Sequence, residues 1–125
     1  ACTDVTGFGL MGHLCEMAQG SDVTAVVAVD SVRLIEEALG FARMGILPEG
    51  MYRNREFAEK LIDPGTTELA KQDMLYDPQT SGGLLIAVDP HDAAALYEEL
   101  QQCVPCAQRI GEIREFDGAR RILLR

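Results

Sequence analysis

The sequence predicts an α+β domain in which helices cover a mixed β-sheet. Three segments repeat apolar residues at the spacing of an amphipathic helix, and short apolar runs rich in β-branched residues lie between them. A long segment, 46–82, is interrupted by prolines and glycines. Because the chain has 125 residues, of which 47% are hydrophobic, we expect one domain with one core.

The first predicted helix follows a polar segment, residues 1–9, and ends at Gly20 and Ser21. Its apolar positions repeat at i, i+3, i+4 and i+7 and are Met11, Leu14, Cys15 and Ala18. The opposite face carries His13, Glu16 and Gln19. Residues 23–29 then form an apolar run, broken only by Thr24, which favours a strand buried on both faces.

A second helix is predicted after this strand, with Asp30 or Ser31 as its N-cap. Its predicted core face comprises Val32, Ile35, Ala38, Leu39 and Ala42. Gly45 lies where a left-handed C-cap is expected. Short helices are predicted at 55–62 and 68–75, and the rest of the long segment is predicted as loop, which in a compact domain is often functional.

Residues 84–88 are a short continuous apolar run that predicts a strand. Asp89 and Pro90 suit the N-cap and the first position of the helix that follows. The predicted apolar stripe of that helix is Ala93, Leu96, Tyr97, Leu100 and Cys103.

The C-terminal segment is predicted to be a β-hairpin. Its strands are residues 107–116 and 119–124, and Asp117–Gly118 is a strong signal for a two-residue turn. The apolar residues of the first strand break strict alternation, and a bulge at Gly111 would restore it.

The charge of the chain excludes one class of partner and restricts another. Eleven basic and twenty acidic side chains leave a formal charge of −9, which repels the phosphate backbone of a nucleic acid. An anionic small molecule can bind such a surface only if a divalent cation lies between the two. No run approaches the roughly 20 apolar residues that span a bilayer, so no membrane partner is expected.

The four cysteines do not predict a disulfide framework, and a reducing, cytosolic setting is favoured. Cys103 and Cys106 form a C-x-x-C motif, which alternatively suggests half a zinc site or a redox pair. No second pair of ligands stands at metal spacing, and the motif ends a predicted helix instead of beginning one. We therefore predict ordinary surface positions for both, and also for His13 and His91.

Two polar segments contain candidate ligand-binding residues. Asp4 is a hard oxygen ligand suited to Mg²⁺, and Gly7 and Gly9 allow backbone amides near a helix start to approach an anion. The alternative is that Asp4 merely caps a turn or helix. Likewise, residues 80–83 can form either an anion-binding nest of backbone amides or a tight loop with glycines at positive φ.

Both segments resemble known signature blocks. Residues 3–10 read Thr-Asp-Val-Thr-Gly-Phe-Gly-Leu and precede Gly-His-Leu at 12–14, and residues 77–85 read Asp-Pro-Gln-Thr-Ser-Gly-Gly-Leu-Leu. They resemble two blocks of the selenophosphate synthetases, in the expected order. Gly50 with Arg53-Asn54 resembles a weaker block between them, and the likeness extends over the whole chain.

The resemblance implies an activity and an architecture. Selenophosphate synthetases make selenophosphate, AMP and phosphate from selenide, ATP and water, and they require Mg²⁺. They share a two-domain architecture with aminoimidazole ribonucleotide synthetase. Residues 1–125 are therefore expected to be a single C-terminal domain that closes over the enzyme's own N-terminal domain, which forms the core of a homodimer and supplies most of the ATP site. The localisation expected is cytoplasmic.

The resemblance also implies site residues. Asp4 matches a magnesium ligand of the family, and we expect six residues near the nucleotide phosphates: Thr6, Gly7, Gly9, Ser81, Gly82 and Gly83. The family's nucleophilic cysteine or selenocysteine lies in the N-terminal part, which has no match here, so Cys2 is not that nucleophile and no catalytic residue is expected in this chain.

Two alternatives remain open. One is a related purine-synthesis or hydrogenase-maturation enzyme, against which the block at 77–85 argues. The other, from a different class, is a stand-alone binding or scaffolding domain that retains the fold without the chemistry.

Overall fold

The computed structural model describes residues 1–125, which form six strands, five α-helices and two 3₁₀ turns. The strands are β1 (Cys2–Asp4), β2 (Val23–Val27), β3 (Ile62–Asp63), β4 (Leu84–Ile86), β5 (Gly111–Glu115) and β6 (Ile122–Leu124). The helices are α1 (Gly9–Gly20), α2 (Ala38–Arg43), α3 (Glu49–Ala58), α4 (Leu69–Tyr76) and α5 (Pro90–Cys103). The 3₁₀ turns are Val29–Ser31 and Glu59–Leu61.

The strands form two sheets. One has four strands in the order β3-β6-β2-β5, in which β6 pairs in parallel with both β3 and β2, and β5 pairs antiparallel to β2. The other is an antiparallel pair of β1 and β4. The predicted α+β class with a mixed sheet is confirmed.

The core lies between the larger sheet and helices α1, α3 and α4, which pack against one another. The predicted apolar face of α1 is confirmed, since all four of its residues are buried. Burial raises the pKa of the Cys15 thiol to about 12, so this cysteine behaves as a small apolar side chain. The largest side chains that are fully enclosed in the core are Met11, Met51, Leu75, Ile122 and Leu124.

The predicted C-terminal hairpin is wrong, because β5 and β6 lie on opposite sides of β2. A strand as apolar as β2 is stabilised by a neighbour on each edge, and β6 brings Ile122 and Leu124 into the core beside it. Gly111 is no bulge. It pairs opposite Val27, and a Cβ at this glycine would lie 2.1 Å from the Val26 carbonyl oxygen.

The second predicted helix is also wrong over its first half. Residues 32–37 are not helical, and Ile35 is 82% exposed. Asp30 binds Lys71 of α4 instead of capping a helix, so a tertiary ion pair replaces the predicted local cap. The helix begins at Ala38 and ends where predicted, in a left-handed Gly45 with a φ of +76°.

The segments around β4 and α5 are more exposed than predicted. β4 buries only Leu85, while Leu84 and Ile86 are 67% and 41% exposed. Helix α5 has the predicted cap, in which Asp89 accepts a hydrogen bond from the His91 amide, but none of its residues is fully buried. Its predicted stripe therefore does not enter the core. None of the helices is both long enough and apolar enough to cross a bilayer.

Candidate functional site

The two-stranded sheet joins the two polar segments that the sequence singled out. Thr3 pairs opposite Leu85, and Asp4 opposite Leu84. Beyond the strands, the Val5 amide donates to the Gly83 carbonyl at 2.9 Å and the Gln79 amide donates to the Thr6 carbonyl at 3.0 Å. Residues 3–10 and 77–85, far apart in the chain, therefore form one surface.

Asn54 of α3 connects a third segment to this surface. Its side-chain amide Nδ2 donates to the Gly7 carbonyl at 2.8 Å and to the Tyr76 carbonyl at 2.9 Å, and the residue is only 7% exposed. The ring of Pro78 also packs against Gly50, where an added Cβ would lie 2.7 Å from it. We refer to residues 3–10, 50–54 and 77–85 as the candidate site.

Asp4 lies at the exposed end of β1 in this site. It does not cap α1, because the N-cap residue of that helix is Phe8 and no side chain caps it. None of the ion pairs of the chain includes Asp4. The carboxylate is therefore available to a ligand, as a magnesium ligand has to be.

Five of the six residues expected near phosphate are exposed, and only Gly9 is buried; the exposed five are Thr6, Gly7, Ser81, Gly82 and Gly83. Gly7 and Gly83 have open space where a side chain would stand, and Gly83 has a φ of +79°. The first turn of α1 contains no acidic residue and no side chain caps it, although the Gly9 amide itself donates to the Thr6 carbonyl at 3.0 Å.

Two of the six, the buried Gly9 and the exposed Gly82, lie at points of close backbone approach. A Cβ at Gly9 would stand 2.7 Å from the Tyr76 carbonyl oxygen, and one at Gly82 would stand 2.6 Å from the Val5 carbonyl oxygen. These glycines therefore allow the two signature segments to pack against each other. The structure assigns them this packing role, and the Gly9 amide donates to the Thr6 carbonyl at 3.0 Å.

This difference between the glycines predicts unequal effects of alanine. Gly9→Ala should reduce the free energy of unfolding by about 2–4 kcal/mol, because alanine is strained at the observed φ of +69° and its Cβ would collide with backbone. Gly7→Ala, with nothing within 4 Å of the added Cβ, is the matched control and should change it by less than about 1 kcal/mol. Urea unfolding of the chain measures both. Equal losses would contradict the packing role.

His13 is the functional candidate that the sequence prediction missed. The helical pattern predicts that it lies on the solvent-facing side of α1, but its side chain is only 12% exposed. Its Nε2 atom lies 3.0 Å from the Thr6 hydroxyl and its Nδ1 atom lies 3.1 Å from a Glu16 carboxylate oxygen. The spacing of His13 and Glu16 at i and i+3 was the available signal. His91, in contrast, is 93% exposed, as predicted.

Aromatic and acidic side chains complete the site. The ring of Phe8 stacks on Phe57 with centroids 5.7 Å apart and lies 5.6 Å from the His13 ring. Asp77 is half-buried, and burial raises the pKa of its carboxyl group. The hydrogen bond from the side-chain amide of Gln79 acts in the opposite direction and lowers that pKa. That bond, 3.0 Å long, holds the carboxylate inside the loop that leads to β4.

The chain supplies few metal ligands. No group of three or more histidine, cysteine, aspartate or glutamate side chains is arranged to hold a metal ion. Cys103 and Cys106 are exposed free thiols at and just beyond the end of α5, and Cys2 is likewise exposed and free. A magnesium ion at Asp4 would take its other ligands from phosphate oxygens, from water or from another domain, which suits a cation that uses only one or two carboxylates.

The sequence that forms this site matches a known protein family. Residues 1–123 match the family model of AIR synthase related protein, C-terminal domain. The chain belongs to this family. The resemblance to selenophosphate synthetases is likewise confirmed, since several curated selenide, water dikinases match most of the chain.

Three relatives illustrate the similarity. The "Selenide, water dikinase" of Treponema denticola is 51% identical over 111 residues, which are 86% of this chain and 31% of the relative. That of Clostridium botulinum is 43% identical over 114 residues, 90% of this chain and 33% of the relative. That of Clostridioides difficile is 48% identical over 100 residues, 79% of this chain and 29% of the relative. The chain thus spans about a third of the length of these relatives.

Proposed function

We propose that this chain is the C-terminal domain of a cytoplasmic selenide, water dikinase and that it supplies part of the ATP·Mg²⁺ site. The observation that carries the proposal is the pairing of β1 with β4, which gathers both signature segments around an exposed and unpaired Asp4. The similarity of the chain to enzymes named selenide, water dikinase supports the choice within the family.

The residues present suit a magnesium nucleotide. Asp4 offers one carboxylate, and the uncapped start of α1 offers backbone amides for phosphate oxygens. When bound, Mg²⁺ neutralises charge on the phosphates from which selenide and water receive phosphoryl groups. Asp4 would hold the metal against the nucleotide, and the exposed loop at Ser81 and Gly83, whose Gly83 carbonyl accepts from the Val5 amide, would offer backbone groups beside it.

We propose that the partner of this chain is an N-terminal domain of the same protein. The full-length protein forms a homodimer in this proposal. In β4, Leu84 and Ile86 leave apolar surface exposed directly across from Asp4 and Cys2. Apolar surface beside a ligand site is typical of an interface between domains. Closure of this face on the N-terminal domain would remove water from the nucleotide and bring the remaining metal ligands to Asp4.

The test compares this chain with the full-length protein whose reading frame encodes it. The chain alone should form no AMP from ATP in the presence of selenide, because one carboxylate cannot organise a triphosphate and no nucleophile for selenide is expected here. The full-length protein should form AMP and selenophosphate, detected by ³¹P NMR, only when selenide and Mg²⁺ are both present.

Three results would refute the proposal. One is selenide-dependent AMP formation by the chain alone. Another is a folded full-length protein that forms AMP equally well without selenide. The third is a reading frame without any upstream ATP-binding domain, which would favour a stand-alone binding module.

A further inference from the structure

Three side chains form a connected path that begins at Thr6 in the candidate site and continues onto α1. Glu16 contacts His13 Nδ1 at 3.1 Å, and His13 Nε2 contacts the Thr6 hydroxyl at 3.0 Å. Glu16 and His13 are both on α1, whereas Thr6 belongs to the loop that precedes it. The path therefore ties the loop that follows Asp4 to the helix behind it.

The partners determine the direction of both hydrogen bonds when the imidazole is neutral. An ionised Glu16 can only accept, so Nδ1 must carry the proton and donate it. Nε2 is then the acceptor, and the Thr6 hydroxyl must donate to it. Because the Thr6 hydroxyl donates its proton to His13, only the lone pairs of Thr6 Oγ1 remain for a further partner. It can accept a hydrogen bond from a ligand but cannot donate one to a phosphate.

The position of Thr6 indicates which ligand those lone pairs would meet. Thr6 and Asp4 stand on either side of buried Val5, and both are exposed. The ring centroid of Phe8 lies 5.6 Å from that of His13, whose side chain is only 12% exposed. The imidazole is therefore confined, and with it the Thr6 hydroxyl.

We propose that His13 is a positioning residue that orients the Thr6 hydroxyl to accept a hydrogen bond from a water ligand of the magnesium ion held by Asp4. Bound magnesium usually retains several waters, and these are strong donors in need of acceptors. This inference rests on the proposed function. It assigns His13 and Glu16 a role in metal–nucleotide binding, whereas a purely structural tie between loop and helix would leave nucleotide affinity unchanged in a folded variant.

The test measures the affinity of the full-length protein for Mg²⁺ with a non-hydrolysable ATP analogue by calorimetry. Thr6→Val removes the hydroxyl at nearly constant shape, and His13→Leu removes its acceptor. Each should weaken binding about tenfold, which is the loss expected for one aligned polar contact. The double variant should be no weaker than either single variant, because both changes remove the same contact. Thr6→Ser and His13→Gln, which keep a hydroxyl and an acceptor, should recover most of the affinity.

Several outcomes would overturn the inference. These are wild-type affinity in Thr6→Val, additive losses in the double variant, or ¹⁵N NMR signals showing that His13 Nε2 carries the proton in the neutral ring. Thr6→Val changes no core residue, so the variant should remain folded at the assay temperature, which its melting temperature checks. If Asp4→Asn cripples the enzyme while Thr6→Val binds normally, only the inference fails. If Asp4→Asn also binds and turns over normally, the proposed metal site fails with it.

Discussion

Asp4→Asn should abolish, or nearly abolish, selenide-dependent AMP formation by the full-length protein at an unchanged melting temperature. Asparagine preserves the shape and one carbonyl oxygen but removes the negative charge that holds Mg²⁺ against the nucleotide phosphates. The fold should tolerate the change because Asp4 is exposed, forms none of the ion pairs and does not cap α1. Turnover at saturating Mg²⁺ and ATP, together with thermal unfolding, measures both effects.

The matched control is Asp92→Asn, which makes the same charge change in the first turn of α5. It should retain wild-type turnover. If Asp4 served only as a cap, Asp4→Asn would keep near-normal activity, because asparagine caps as well as aspartate does, and Asp4→Ala would lose only about 1 kcal/mol of stability. Wild-type turnover in Asp4→Asn would therefore refute the metal role.

Asn54→Asp should reduce the free energy of unfolding of the chain by about 4 kcal/mol, a large share of the stability of a domain this size. The Asn54 side-chain amide donates to the carbonyls of Gly7 and Tyr76, and a carboxylate at the same place can only accept. Two carbonyls would lose their donor and face a negative charge in a buried position. The midpoint of urea unfolding, at an unchanged slope, measures the loss.

The neighbouring Arg53→Ala provides the control. Arg53 belongs to the same helix, but its side chain is 72% exposed and makes only an i,i+4 ion pair with Glu49. Its removal should cost less than about 1 kcal/mol. Similar losses for the two substitutions would show that α3 is merely sensitive to change and that Asn54 does not hold the signature segments together.

Much of the fold follows from local patterns. The apolar face of α1 and the cap of α5 need only neighbours within a few residues, and both are present as predicted. Patterns failed where a distant partner competed. Asp30 reads as a helix cap but binds Lys71, and the turn at Asp117–Gly118 reads as a hairpin although β2 lies between the strands that it connects. A turn signal reports a reversal of the chain, not which strand will be the neighbour.

The candidate site divides in the same way. Asp4 and the two signature segments are recognisable in the sequence, because their residue types suit a metal and an anion and because they resemble a known family. Histidine at position 13 lies in the Gly-His-Leu that follows the first block, but helical periodicity places it on the solvent-facing side of α1, and only the contact with Thr6 in the preceding loop shows that it belongs to the site. Asn54 belongs to the weaker block, but its role depends on two carbonyls from distant segments that accept hydrogen bonds from its side-chain amide, which only the structure shows.

Local patterns and the signature segments were therefore enough to predict the fold class and the family. Only the tertiary structure decided the neighbours of β2, the exposed face of β4 beside Asp4, and the path from Glu16 through His13 to Thr6. The two groups of features differ in how far apart along the chain the interacting residues lie. Helical periodicity, caps and turns depend on contacts a few residues apart, whereas strand order and buried polar contacts depend on which distant segments satisfy one another's hydrogen bonds.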